Sequence, residues 1–96
     1  MKEREYILEL YEIYKNVLTE KERTYFEYYY YEDYSLQEIA DNYSVSKSYV
    51  GKYLNSIEDK IINYEKELKV LEKNKKIRNI IKDLDDNTKA RIEELL

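Results

Sequence analysis

The stretch from Ser35 to Leu54, SLQEIADNYSVSKSYVGKYL, constrains the fold more than any other part of the chain. It holds two helix starts a short distance apart. Ser35 is an N-cap residue type, and Glu38 three residues later completes a capping box. The pair would satisfy the free N–H groups of a helix start. Leu36, Ile39 and Ala40 then share one face at helical spacing. Asp41-Asn42-Tyr43-Ser44 interrupts the pattern, Val45 is expected to be buried, and Ser46 is a second N-cap. Val50 and Leu54 begin the next apolar stripe. A helix, a short turn and a capped second helix form a helix-turn-helix, with small Ala40 where the two helices approach.

The flanking sequence supports a helical setting for this motif. The chain has no proline and a single glycine, Gly51, which argues against a β-sandwich built on Gly/Pro turns. From Glu3 to about Val17, Tyr6, Ile7, Leu10, Tyr11, Ile13, Tyr14 and Val17 recur at spacings that predict a first helix. Thr19 with Glu22 forms another capping box, which opens a second helix to about Tyr31 with Tyr25, Phe26, Tyr29 and Tyr30 on its buried side. The expected fold is all-α, with a trihelical helix-turn-helix core, a long C-terminal helix and a short terminal helix. The 96 residues suit one domain. Within it, 1–34 carry two N-terminal helices, 35–55 the helix-turn-helix, and 56–96 the extended and terminal helices.

The second motif helix has no obvious stop. Val50, Leu54, Ile57, Ile61, Tyr64, Leu68 and Leu71 follow one another at alternating intervals of four and three, a heptad pattern. At about 1.5 Å per residue this seam spans roughly 30 Å, more than a small trihelical unit covers. The seam would either fold back on its own chain or pair with a second subunit. Its length favours a homodimer through Leu54, Ile57, Ile61, Tyr64, Leu68 and Leu71. No breaker other than Gly51 is visible from Lys47 to Leu84. A second stripe, Val70, Ile77, Ile81 and Leu84, suggests a change of partner or a bend near Lys75 and Arg78. Asp86 or Asn87 would cap the last helix.

Charge and residue chemistry narrow the function. Net charge is −4, which disfavours strong non-specific binding to nucleic acid. The excess of acid lies before Ser35; from Ser35 to Ser56 the acids Glu38 and Asp41 balance Lys47 and Lys52. No cysteine or histidine is present, so disulfides, thiol catalysis, the usual zinc sites and histidine acid–base chemistry are excluded. No glycine-rich phosphate loop or catalytic constellation occurs, and neither an enzyme nor a bound cofactor is expected. Met1-Lys2-Glu3-Arg4-Glu5 leads into an amphipathic stretch rather than a secretory leader. No apolar run reaches the roughly 20 residues that span a bilayer. A cytoplasmic protein without membrane insertion is the expectation. The 13 tyrosines are unusual. A genome-wide bias that also enriches Lys, Asn, Ile and Glu explains them as readily as a function does.

Two surfaces are candidates for binding. A groove-reading helix would present Ser46, Lys47, Ser48, Gly51, Lys52 and Asn55 to duplex DNA or RNA. The serines and the helix N-terminus would meet phosphate, the lysines would supply charge, and Asn55 would reach a base edge. Lys75, Arg78 and Lys82 share a basic face at spacings of three and four, suited to RNA phosphate or an acidic protein surface. Both sets are also compatible with ordinary solvated helix faces.

The string Leu18-Thr19-Glu20-Lys21-Glu22-Arg23, Tyr28-Tyr29, Asp33 to Ala40 and Val45-Ser46-Lys47 resembles the YlxM family, small helical bacterial proteins associated with the signal recognition particle. Tyr64 to Leu68 and Leu71-Glu72-Lys73 extend the likeness to roughly Arg78. The helix-turn-helix alone is similar to region 4 of bacterial sigma factors. The resemblance implies a cytoplasmic, dimeric, helical regulator or adaptor that touches the particle's protein, its receptor or its RNA. The motif by itself is equally that of a sequence-specific DNA-binding transcription regulator, and the heptads by themselves that of a structural coiled-coil interaction module. The chain departs from the family pattern at Lys47 to Lys52, where the aromatic falls at Tyr49 and a glycine follows Val50.

Overall fold

Three hydroxyl caps organise the first half of the molecule, and a computed structural model that describes residues 3–96 shows each of them. Met1 and Lys2, the start of the segment expected to lack a leader, lie outside those residues. Thr19 and Ser35 both form complete capping boxes, with Glu22 and Glu38 respectively, and Ser46 accepts a hydrogen bond from the Tyr49 N–H. These caps start α2 (Glu20–Tyr30), α3 (Leu36–Tyr43) and α4 (Lys47–Leu68). Ahead of them lies α1 (Arg4–Tyr14), capped by Glu3 and followed by a 3₁₀ turn, Lys15–Val17. After them come α5 (Val70–Ile81) and α6 (Asp86–Glu93). The described residues are all-α, and α3 with α4 forms the expected helix-turn-helix.

The turn of the motif is set by Ser44. Its φ of 55° puts it in the left-handed region, and its N–H donates back to the Ala40 and Asp41 carbonyls. The Val45 N–H donates to the Ala40 carbonyl at 3.0 Å, which closes the helix end. Val45 was expected to be buried, but 36% of it is exposed. The backbone at this position is held by the cap, and the side chain is turned out beside Ser46. Ile39 and Ala40 are fully buried against the core.

The core is built from Ile7, Leu10, Tyr11 and Tyr14 of α1, Tyr25, Phe26 and Tyr30 of α2, Ile39 and Ala40 of α3, and Val50, Leu54, Ile57 and Ile61 of α4. The Tyr11 and Phe26 rings stack at 4.0 Å between centroids. Helix α4 is the spine, packed by α1, α2 and α3 in turn.

Two expectations for the C-terminal half are corrected. The helix from Lys47 is not continuous to Leu84, and the bend is not at Lys75 and Arg78. It breaks at Lys69, which adopts φ 55° and ψ 34° and serves as the end of α4 and the start of α5 at once. Lys69 offers no side-chain cap. The Glu65 carboxylate fills the role instead, accepting from the Leu71 N–H at 3.0 Å and the Glu72 N–H at 3.0 Å. The bend returns Leu71, 5% exposed, to the core beside α1. The seam is accordingly a core stripe of its own chain. Leu54, Ile57, Ile61 and Leu71 are buried within the protomer, and Tyr64 is half-buried with its ring 5.9 Å from that of Tyr14. Only Leu68 of the predicted dimer set stands exposed, at 53%. The seam therefore offers no continuous face to a second subunit. The last helix is capped by Asp85, one residue before the expected Asp86 or Asn87; its Oδ2 accepts from the Thr88 N–H.

Candidate nucleic-acid interface

The exposed side of α4 is the surface a helix-turn-helix would turn to a groove. Its first turn begins at Ser46, whose Oγ already accepts the Tyr49 N–H at 3.0 Å. Lys47, Ser48, Lys52 and Asn55 are all exposed. Ser48, Lys52 and Asn55, at intervals of four and three, form one continuous exposed stripe. Gly51 stands apart from this stripe. It is half-buried, and its absent side chain would point at Leu36 Cδ1, 3.8 Å from an added Cβ. Gly51 is a packing position between α3 and α4, and a methyl group there would meet ordinary van der Waals contact. Asn55 borders an open groove of about 650 Å³ lined by Arg4, Tyr29, Tyr30, Leu36, Leu54 and Glu58. The structure thus brings Lys47, Ser48, Lys52 and Asn55 onto the surface, with Ser46 engaged as a cap and Gly51 turned into the helix pair.

On the opposite flank of α4 lies a cluster that periodicity did not reveal. Lys21 of α2 donates from Nζ to the Tyr49 hydroxyl at 2.9 Å. The same ammonium lies 4.9 Å from the Tyr53 ring centroid, 5.4 Å from that of Tyr49 and 5.8 Å from that of Tyr25. Each distance is within cation–π range. The hydrogen bond to Tyr49 raises the Lys21 pKa, so the charge is held firmly. Tyr25 continues the cluster to Tyr43 at 4.8 Å, and Tyr28 stacks on Tyr34 at 4.9 Å. The one sequence signal was the recurrence of Tyr49 and Tyr53 four residues apart on α4; Lys21 and Tyr25 come from another helix.

The basic residues of α5 and its C-cap are exposed and partly engaged. Lys75, Arg78 and Lys82 are exposed, and Lys75 pairs with Glu9 of α1 at 3.4 Å. That pair is solvent-exposed and anchors the turn of α5 only weakly.

Beside it, at the joint of α4 and α5, an open groove of about 620 Å³ is lined by Tyr6, Ile62, Lys66, Lys69 and Leu71. Among the described residues, no group of three or more acidic side chains is placed to hold a metal ion, and no helix is long and apolar enough to cross a membrane.

A two-helix reading motif on a helical support, with an exposed polar stripe, defines a helix-turn-helix protein. The chain belongs to the UPF0122 family, described as "Putative helix-turn-helix protein, YlxM / p13 like", whose model matches residues 1–95. A UPF0122 protein of Ureaplasma urealyticum serovar 10 is 39% identical over 82 residues, covering 85% of this chain and 83% of that protein. A UPF0122 protein of Shouchella clausii is 41% identical over 75 residues, covering 78% of this chain and 69% of the relative. One from Geobacillus kaustophilus is 42% identical over 77 residues, with 80% and 70% covered. The likeness to the YlxM family is thereby established. The family description is that of a helix-turn-helix protein.

Proposed function

We propose that the chain is a non-enzymatic regulator or adaptor of the signal recognition particle targeting pathway, acting in the cytoplasm. Its partner would be the particle's protein, its receptor or its RNA. The observation that carries this reading is the charge of the motif's exposed face. Within the motif itself, residues 35–54, Lys47 and Lys52 are the cations, and Glu38 and Asp41 of α3 offset them. Long-range attraction to duplex DNA scales with the number of phosphates neutralised, so two lysines support little of it. A helix-turn-helix of this family with so neutral a face is better suited to a specific macromolecular partner than to bulk DNA.

The second reading is a transcription regulator that binds duplex DNA. The exposed stripe Ser48, Lys52 and Asn55 favours it, because those side chains stand where a recognition helix meets base edges and phosphate. Affinity capture of the full chain from cells, with bound proteins and nucleic acids both identified, separates the two. Recovery of targeting-particle components is the expected result. Enrichment of a defined duplex sequence without them, lost on Lys52→Glu, would overturn the first reading in favour of the second.

A further inference from the structure

The joint between α4 and α5 is open on one side, and its floor is apolar. Leu71 is buried there, Ile62 is half-buried, and the Tyr6 ring of α1 is 36% exposed beside them. These three side chains come from three helices and line one groove of about 620 Å³. Clefts that hold small molecules run from about 300 to 1,000 Å³. The groove exists because the chain bends at Lys69. A φ of 55° is costly for a residue with a side chain, and the Lys69 side chain makes no cap in return. Strained positions of this kind recur at ligand clamps.

The charges say which occupant fits. Lys66 in the last turn of α4, Lys69 at the joint and Lys75 of α5 all line the groove. Among the described residues no ion pair engages Lys66 or Lys69, and Lys75 meets the exposed Glu9 at 3.4 Å. The acids of the lining are already used. Both oxygens of Glu65 are taken by the Tyr14 hydroxyl and by the Leu71 and Glu72 N–H groups, and Glu72 pairs with Lys76 at 3.4 Å. The Val70 N–H donates to the Tyr14 hydroxyl at 3.4 Å. The first three N–H groups of α5 are therefore spent inside the protein, and an anion in the groove would be met by ammonium groups alone. Asn63 is the one amide among the described lining residues, so little there would read a sugar or a base.

We infer that this groove binds an amphipathic carboxylate, an unbranched apolar chain with one anionic end. The chain lies on Tyr6, Ile62 and Leu71, and its carboxylate meets the ammonium groups of Lys66 and Lys69, with Lys75 on the α5 side. A compact charge on a flexible stem suits a compact anion. Such a ligand touches α1, α4 and α5 at once, so it holds the bend in place and stabilises the fold as the groove fills. The groove shares no residue with the exposed stripe Ser48, Lys52 and Asn55. The inference is therefore independent of which macromolecule the motif binds.

Titration of the full chain with decanoate, decanol and decyltrimethylammonium tests it, read by calorimetry and by backbone amide NMR shifts. Decanoate should saturate a single site below about 1 mM, raise the thermal midpoint and shift amides between residues 62 and 75. Decanol, which keeps the chain and lacks the charge, should bind at least roughly tenfold more weakly, and the cation should leave those amides unmoved. Lys66→Glu should weaken decanoate at least roughly tenfold, with circular dichroism unchanged because the side chain is exposed. Lys69→Gly should weaken decanoate while the unliganded chain becomes more stable, a combination that a purely structural lysine does not produce. Tyr6→Ser should weaken decanoate and decanol alike. Absence of saturable decanoate binding overturns the inference. So does equal affinity for decanoate and decanol, binding indifferent to Lys66→Glu in a folded variant, or amide shifts confined to residues 80–95.

Discussion

Glu65 sits at the joint between α4 and α5 with both carboxylate oxygens engaged. Oε1 accepts from the Tyr14 hydroxyl at 2.6 Å and the Leu71 N–H, and Oε2 accepts from the Glu72 N–H. The side chain is 8% exposed. Burial works against its charge, but the Tyr14, Leu71 and Glu72 hydrogen bonds together with Lys75 outweigh that, and its pKa is held below the ordinary glutamate value. Two backbone donors at a helix start are satisfied by an anion, which the helix dipole also favours. Glu65→Ala leaves those donors and the Tyr14 hydroxyl without their acceptor. We expect a loss of roughly 2–4 kcal/mol, read from urea denaturation. Glu65→Gln, which keeps one acceptor oxygen, should cost less. The acid limb of stability checks the charge. A carboxylate with a lowered folded pKa stabilises above its unfolded value, 4.5, and that contribution is lost as pH falls through the folded value. Glu12 and Glu22 are shifted the same way. Wild type should therefore lose stability below about pH 4.5, and Glu65→Ala should show a shallower acid limb over the same range.

At the scale of elements, the helix starts were legible and one helix end was not. Thr19, Ser35 and Ser46 act on residues three positions away, so a linear sequence displays them. The break at Lys69 has no such mark. Lysine is a good helix former, and neither glycine, asparagine nor proline stands nearby in the break. Its cause is Glu65, which faces the joint only once the chain has bent, and Leu71, which gains a place in the core by bending. The heptad spacing predicts a packing stripe, and its length favours a second subunit; the stripe instead packs within its own chain, because the same period serves either partner. In the candidate site, Ser48, Lys52 and Asn55 were legible as the outer stripe of a second motif helix. The role of Gly51 in the α3–α4 contact and the Lys21–tyrosine cluster were not, since both depend on which helices are neighbours. The break gives a direct test. A non-glycine residue at φ 55° is strained, and Lys69 makes no side-chain cap in return. Lys69→Gly should raise stability by about 0.5–1 kcal/mol, with the denaturant slope unchanged. A loss would mean that the lysine stem contributes packing at the joint that offsets its strain.

Across the whole molecule, tyrosine hydroxyls and carboxylates tie the helices together. Tyr14 donates to Glu65 and joins α1 to α4; Tyr30 donates to Glu58 and joins α2 to α4. Tyr11 donates to Glu27, and Tyr31 donates to Glu12, both between α1 and the α2 segment. Glu12, Glu27, Glu58 and Glu65 are the acceptor set for these phenols. The arrangement carries a cost at high pH. Burial first, then the neighbouring carboxylate, pushes the Tyr14 and Tyr31 hydroxyls up to about 12. Tyr11 and Tyr30 are raised further by the same causes, burial leading and Glu27 and Glu58 adding to it. Each phenol keeps its proton in the folded chain at a pH where the unfolded chain, with its ordinary value of 10.0, has released it. The native state then binds more protons than the unfolded state, so stability falls as pH rises. The window opens near pH 10 and extends to the folded values of about 12 and above. Thermal unfolding followed at a series of alkaline pH values should show the midpoint dropping steadily above about pH 10, with tyrosinate absorbance appearing at the unfolding transition rather than before it. Tyr31→Phe, at a position already 47% exposed, should make the decline shallower with little change at neutral pH. Tyrosinate absorbance that rises well before unfolding would show that these hydroxyls titrate freely and do not couple the helices.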